Sequence, residues 1–250
     1  MGKKGGAGHL KRMPAPAFWP IHTKEFQWAP KPNPGPHPGN LCLPLAVVLR
    51  DSLGYAKSSR EARVILAEGR VKVDGKTRRD RKYPAGLMDV IDLPDANEAY
   101  RVVPVKGKGL APVRITKEEA KFKLCRIEGK STLRKGQAQI NLHDGRNLLI
   151  QVADAKNATE DVYKVRDTLR LGIPTQKILS HLKFAEGNYA VVTAGRNIGR
   201  HGKIAKIVQA TATRPATVAI QDPTGETFET VANYVFVVGE DKPILRIEEA

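Results

Sequence analysis

The chain has 250 residues, 41% of them hydrophobic, which leaves room for two or three ordinary cores. Its 42 Lys and Arg outnumber 26 Asp and Glu for a formal net charge of +16, an excess that points to polyanions, nucleic acid above all. The two cysteines, Cys42 and Cys125, form no CxxC pair, which argues against a zinc knuckle or a disulfide-rich secreted scaffold and predicts two buried, reduced thiols.

The N-terminus, MGKKGGAGHLKR, is basic but leads into no apolar segment, and Gly6 stands where a myristoylation signal needs Ser or Thr. The longest apolar run, LCLPLAVVL at 41–49, is about half a membrane span. A soluble, cytoplasmic protein is expected. Residues 1–40 hold six bases, among them Lys3, Lys4, Lys11 and Arg12, against one acid. Phe18, Trp19, Phe26 and Trp28 follow, and then prolines at 30, 32, 34, 36 and 38, a pattern for extended, polyproline-like chain. This segment reads as an arm that orders on a partner, its cations meeting phosphates and its indoles stacking on bases or docking on protein.

Residues 41–104 open with two helices. PLAVVLRDSLG starts at Pro44 and stops at Gly54, with Leu45, Val48, Leu49 and Ser52 or Leu53 as its buried stripe. KSSREARVILAEG has a capping box from Ser58 to Glu61 and ends at Gly69; Ala62, Ile65 and Leu66 face inward, while Arg60, Arg63 and Arg70 lie elsewhere. RVKVDGKT reads as a hairpin turning at Asp74-Gly75, flanked by Lys72 and Lys76. RRDRK at 78–82 adds Arg78 and Arg79, and GLMDVIDL is a further strand. An arginine-bearing helix followed by a basic hairpin suits a structured RNA backbone.

Residues 105–182 carry mostly β signals: KFKLCRI, QAQINL with Ala138, Ile140 and Leu142 inward, an Asp-Gly turn in HDGRNLLIQV, and YKVRDTLRL. A small barrel or sandwich is expected. From 183 onward, NYAVVTA, KIAKIVQA, ATVAIQ, TFET and NYVFVVG read as five short strands, the pattern of a small SH3-like barrel. Between Gly187 and Gln221 stand five bases and no acid, so charge in this region is segregated along the sequence.

TAGRNIGRHGKIAKI, 193–207, invites comparison with a phosphate loop. It fails: Asn197 replaces the first glycine, Ile204 replaces the magnesium-binding Ser or Thr, and a strand rather than a helix follows. GKGLAP at 107–112 likewise has Pro112 where a dinucleotide fingerprint ends in glycine. What remains is a turn whose glycines permit positive φ and close backbone approach, presenting Arg196, Arg200 and Lys203 to phosphates. His9, His22, His37, His143, His181 and His201 are scattered, and no carboxylate pair or cysteine nucleophile context suggests an enzyme.

These residues resemble known RNA-binding elements. VVTAGRNIGRHGKIAKI is similar to the KOW motif, and SSREARVILAEGRVKVDGKTRRD to the S4 RNA-binding domain. HLKRMPAPAFWPI and PGPHP resemble the N-terminal arm of one ribosomal family. Taken in order, they resemble the archaeal and eukaryotic small-subunit ribosomal protein family S4e across nearly the whole chain. The resemblance implies an α+β, multidomain fold: an arm at 1–40, an αα-hairpin S4 domain at 41–104, a central β-domain at 105–182, and a KOW SH3-like barrel with tail at 183–250. It implies a non-enzymatic constituent of the small ribosomal subunit that takes part in translation, binding small-subunit rRNA and neighbouring ribosomal proteins, with no cofactor, metal, membrane or small-molecule substrate. RNA contacts would fall on Arg60, Arg63, Arg70, Lys72 and Lys76, and on Arg196, Asn197, Arg200, His201 and Lys203. The compact length looks more archaeal than eukaryotic. An assembly or transcription factor with a KOW domain, or an RNA-modifying enzyme, are the alternatives.

Overall fold

In the computed structural model, which describes residues 8–133, 137–151 and 162–247, strands predominate. The arm is packed onto the protein. β1 (Leu10–Lys11) and β2 (Trp28–Ala29) pair antiparallel. Trp19 is 2% exposed, its indole N–H donates to the Cys42 carbonyl at 2.9 Å, and it shares a core with Leu43, Leu45 and Leu66. The proline-rich stretch lies over the next module: a Cβ on Gly35 would sit 2.6 Å from the Pro84 ring, and one on Gly86 2.2 Å from the His37 ring.

β3 (Cys42–Pro44) pairs with β6 (Pro84–Gly86) and runs into α1 (Leu45–Val47), which opens into a π-helical turn over Val48–Ser52. Five consecutive residues, Leu45 to Leu49, are buried, so the core encloses this helix instead of meeting one stripe of it. α2 (Ser59–Ala67) follows its sequence signals. The Ser58 hydroxyl accepts from the Glu61 N–H at 3.2 Å, and the Glu61 carboxylate accepts from the Lys57 N–H at 2.8 Å. Ala62 and Leu66 are buried and Ile65 half-buried, while Arg60 and Arg63 are exposed.

The accompanying sheet has the order β5-β4-β7-β8-β9, from β4 (Lys72–Val73), β5 (Lys76–Thr77), β7 (Val90–Leu93), β8 (Glu98–Val105) and β9 (Gly109–Ile115). Asp74 and Gly75 both have positive φ, as a two-residue hairpin turn demands. β9 lies beyond residue 104 yet pairs with β8 from Ala99 to Val105, so this sheet continues past the end expected from the sequence.

The central sheet, order β12-β11-β10-β13-β14, is built on the long β10 (Phe122–Thr132) with β11 (Ala138–Leu142), β12 (Asn147–Ile150), β13 (Thr168–Gly172) and β14 (Ile178–Leu182). β10 changes partner from β13 to β11 across a bulge between Ile127 and Gly129, which lets one strand serve both halves. Ile140 and Leu142 are buried and Ala138 half-buried.

The last sheet runs β18-β17-β16-β15-β19, from β15 (Tyr189–Val192), β16 (His201–Val208), β17 (Thr217–Gln221), β18 (Thr227–Val231) and β19 (Val235–Gly239). All five match strands read from the sequence. Val191, Ile204, Val218 and Phe236 pack there with Leu124 of β10, Val103 of β8 and Met88 of the turn between β6 and β7, so one core joins three modules. No helix among the described residues is long and apolar enough to cross a membrane.

Candidate nucleic-acid interface

The basic run 78–82 lies along α2. At one end, Arg81 Nη1 donates to the Ser59 hydroxyl at 3.2 Å; at the other, the Arg79 guanidinium comes within 3.7 Å of where a Cβ on Gly69 would be. Arg60 and Arg63 of α2 and Arg79 and Arg81 of the run beside it are all exposed, as is Lys76 on the neighbouring hairpin. Arg60, Arg63, Lys76 and Arg79 have no ion pair among the described residues. Lys72 is half-buried in β4.

Other expected contacts are committed to the protein. Arg70 pairs with Glu68 at 2.6 Å and Asp95 at 3.5 Å. Arg78 stacks on Tyr83, 4.5 Å from its ring centroid. Arg12 Nε donates to the Ile21 carbonyl at 3.0 Å and holds the arm's fold, while Lys11 lies 5.8 Å from the Trp28 ring centroid. Lys3 and Lys4 lie outside the described residues.

The glycine loop joins β15 to β16. Gly195 and Gly199 have φ of +85° and +81°, and a Cβ on Gly199 would meet the Lys106 backbone nitrogen at 2.2 Å. One on Gly202 would meet the Gln221 carbonyl oxygen at 2.0 Å. The close approach that these glycines permit is thus made by the protein itself, against the β8–β9 turn and against β17. Arg196 is exposed at the tip without an ion pair among the described residues. Arg200 points inward: Nε and Nη2 donate to Asp222 at 3.1 and 3.0 Å, Nη2 also reaches Glu226 at 3.1 Å, and the guanidinium stacks 4.1 Å from the Phe228 centroid. Asn197 Nδ2 donates to the Glu229 carbonyl at 3.3 Å, the His201 Nδ1 is 2.7 Å from the Tyr189 hydroxyl, and Lys203 pairs with Asp241 at 3.0 Å. The acid-free stretch of sequence is answered in space by the acids that follow it.

Beneath these surfaces lies a buried ion network that sequence spacing does not reveal. Lys123 Nζ, on β10, contacts Asp74 at 2.8 Å, Asp89 at 2.5 Å and Asp144 at 3.0 Å. Arg146 bridges Asp74 and Asp144, and His37 of the arm reaches Asp89 at 3.1 Å. Lys123 and the His37 contact hold Asp89 below the usual carboxylate range despite its burial, and Lys123 also lowers Asp144. Burial and the Asp89 charge push Asp74 upward. Burial pushes the Cys125 thiol up and His143 down to about 3. Cys125, His143 and Asp144 come within 4.8 Å of one another, but this donor set does not suit a cation. Both His143 nitrogens are engaged, Nδ1 accepting from the Arg126 N–H and Nε2 donating to the Leu87 carbonyl, and Lys123 already occupies Asp144. The cluster joins arm, second module and central sheet.

Comparison with known proteins places this architecture among relatives. Residues 4–39 match the RS4NT (NUC023) domain, 43–91 the S4 domain and 96–178 the ribosomal family S4e. A Staphylothermus marinus protein named small ribosomal subunit protein eS4 is 49% identical over 249 residues, 100% of this chain and 99% of its own. An Ignicoccus hospitalis protein of the same name is 51% identical over 246 residues, 98% of this chain and 96% of its own. The crystal structure of the 30S ribosomal protein S4e from Thermoplasma acidophilum aligns with a TM-score of 0.65 at 34% identity, covering 80% of this chain and 95% of that one.

Proposed function

The chain belongs to the ribosomal family S4e, and on that premise we propose that it is a structural constituent of the small ribosomal subunit, binding small-subunit rRNA during translation in the cytoplasm. It acts by contact and not by catalysis. The observation that carries the rRNA assignment is the basic run beside α2, with Arg81 at Ser59 and Arg79 near Gly69, next to a helix whose Arg60 and Arg63 are also exposed. Such a surface fits phosphates spaced along an RNA backbone.

The second contact surface is the loop at Arg196, with Lys106 beside it. Strand order in the last sheet, the bulge in β16 between Ile204 and Lys206, and the 3-10 turn Ala232–Tyr234 between β18 and β19 support reading that sheet as the SH3-like barrel of a KOW domain. The working division is arm 1–40, S4 domain 41–104, central β-domain 105–182 and KOW domain 183–250, with β9 lent by the central segment to the S4 sheet. Within the proposed RNA-binding set, Arg60, Arg63, Lys76, Arg79 and Arg196 meet phosphates directly. Arg12, Arg70, Arg78, Asn197, Arg200, His201 and Lys203 shape the surfaces that do so, and Lys3, Lys4, Lys11 and Lys72 contribute at their margins.

Sedimentation of a native lysate at moderate salt tests this. The protein should follow small subunits and whole ribosomes at about one copy per small-subunit rRNA. Confinement to immature particles would instead identify an assembly factor, and a position at the top of the gradient would remove the ribosomal assignment.

A further inference from the structure

The arm's four large aromatics divide into two pairs. Trp19 is buried and Phe18 half-buried, whereas Phe26 and Trp28 are 53% and 51% exposed. The exposed pair lines a cleft of about 980 Å³ between the arm and the start of α2, within the ~300–1,000 Å³ of pockets that enclose small organic ligands. Both rings are backed by cations, Lys11 at 5.8 Å from the Trp28 centroid and Arg50 at 5.8 Å from that of Phe26.

Cations also line the cleft: Lys31, Lys57, Arg81 and Lys82, of which Arg81 also bonds to Ser59 at the start of α2. Two acids line it as well: Asp51 is held by Arg50 through two bonds of 2.9 Å, which leaves Glu25 among the other four cations.

We infer that this cleft receives an unstacked nucleotide of single-stranded rRNA, its base against Trp28 or Phe26 and its flanking phosphates at Lys57, Arg81 and Lys82. The inference rests on the rRNA-binding reading above and gives it a second kind of contact. Duplex RNA hides its base faces, so half-exposed aromatic rings beside cations fit a splayed-out base. A backbone tracking α2 would deliver that nucleotide past Arg81 into the cleft.

The test is binding of the full chain to a small-subunit rRNA transcript at several salt concentrations. Trp28→Ala and Phe26→Ala remove exposed rings, so their thermal midpoints should match the unsubstituted protein. At least one should weaken binding about 5- to 150-fold, the range for losing one stacked base, without changing the slope of log K against log salt. Trp28→Phe, which keeps a ring, should retain most of the affinity, and Lys82→Ala should make the slope shallower by about 0.7. Full affinity in both alanine variants overturns the nucleotide assignment while leaving rRNA binding intact. Full affinity combined with failure to enter subunits also overturns it, in favour of a protein occupant. Failure of the unsubstituted chain to bind the transcript overturns both readings.

Discussion

Arg196 and Arg200 stand four residues apart in one loop and serve different ends. Arg196 is exposed at the tip, while Arg200 is bonded to Asp222 and Glu226 and stacked on Phe228. Arg196→Ala should therefore make the salt dependence of rRNA binding shallower by about 0.7, one phosphate contact, with an unchanged melting temperature. Arg200→Ala should cost about 1–3 kcal/mol of stability in urea unfolding and leave the slope nearly intact. Equal slopes in both variants would refute this division. A sequence supplies cations at a spacing but not their partners, because Asp222 and Glu226 reach Arg200 only once β17 and β18 are in place. Lys123 shows the same limit: read as one base in a basic strand, it is the hub of three buried carboxylates. Lys123→Met should cost about 3–5 kcal/mol, since it leaves buried charge poorly compensated. The network also fixes a pH dependence. Asp89 and Asp144 have folded pKa values below their unfolded ones, so the stability they contribute is complete above about pH 4 and lost as pH falls through that range; Asp74, raised, offsets part of it. His143 is lowered from 6.5 to about 3, so its contribution is lost progressively from about pH 6.5 downward. The urea midpoint should accordingly decline from pH 7 to 4, and His143→Gln should flatten the part above pH 5.

Elements were legible where their signals are local. The Ser58–Glu61 cap, the Asp74-Gly75 turn and the five C-terminal strands each rest on a few neighbouring residues, and each stands where the pattern puts it. Pairing over longer range was not legible. β9 joins β8, and β10 serves two partners across a bulge, because strand partners are chosen by core packing that no short window contains. The arm is the sharpest case. Its proline spacing announces irregular chain, but only the folded core decides that Trp19 docks while Trp28 stays exposed. Docking through one large side chain makes a prediction at this scale. Trp19→Ala should cost about 3–5 kcal/mol and loosen the arm, since it empties a buried site and removes the bond to the Cys42 carbonyl. Limited trypsin digestion should then cut after Lys24 faster than in the unsubstituted protein, leaving the rest of the chain intact. An arm equally resistant in both would mean that the proline segment over Pro84 and Gly86 holds it alone.

At the scale of the whole molecule, a net charge of +16 matters only if its cations face one polyanion together. The shared core of Leu124, Met88, Val103 and Phe236 and the Lys123 network join the modules, and Gly199 seats the Arg196 loop on the β8–β9 turn. The α2 surface and the loop are therefore held at a fixed separation before RNA arrives, so the second contact follows the first without further ordering cost. Salt dependence measures whether both engage. Arg60, Arg63, Lys76, Arg79 and Arg196, each exposed and each taking one phosphate, together with Lys57, Arg81 and Lys82 of the cleft, give a slope of log K against log salt of about −5.6, at about −0.7 per contact. Arg60→Ala with Arg63→Ala should bring it to about −4.2, and adding Arg196→Ala to about −3.5, because contacts on separate surfaces of a rigid body subtract independently. An Arg196→Ala step that vanishes in the background of the other two would mean that the loop reaches RNA only when α2 already holds it, and that the modules move against each other on the way to the bound state.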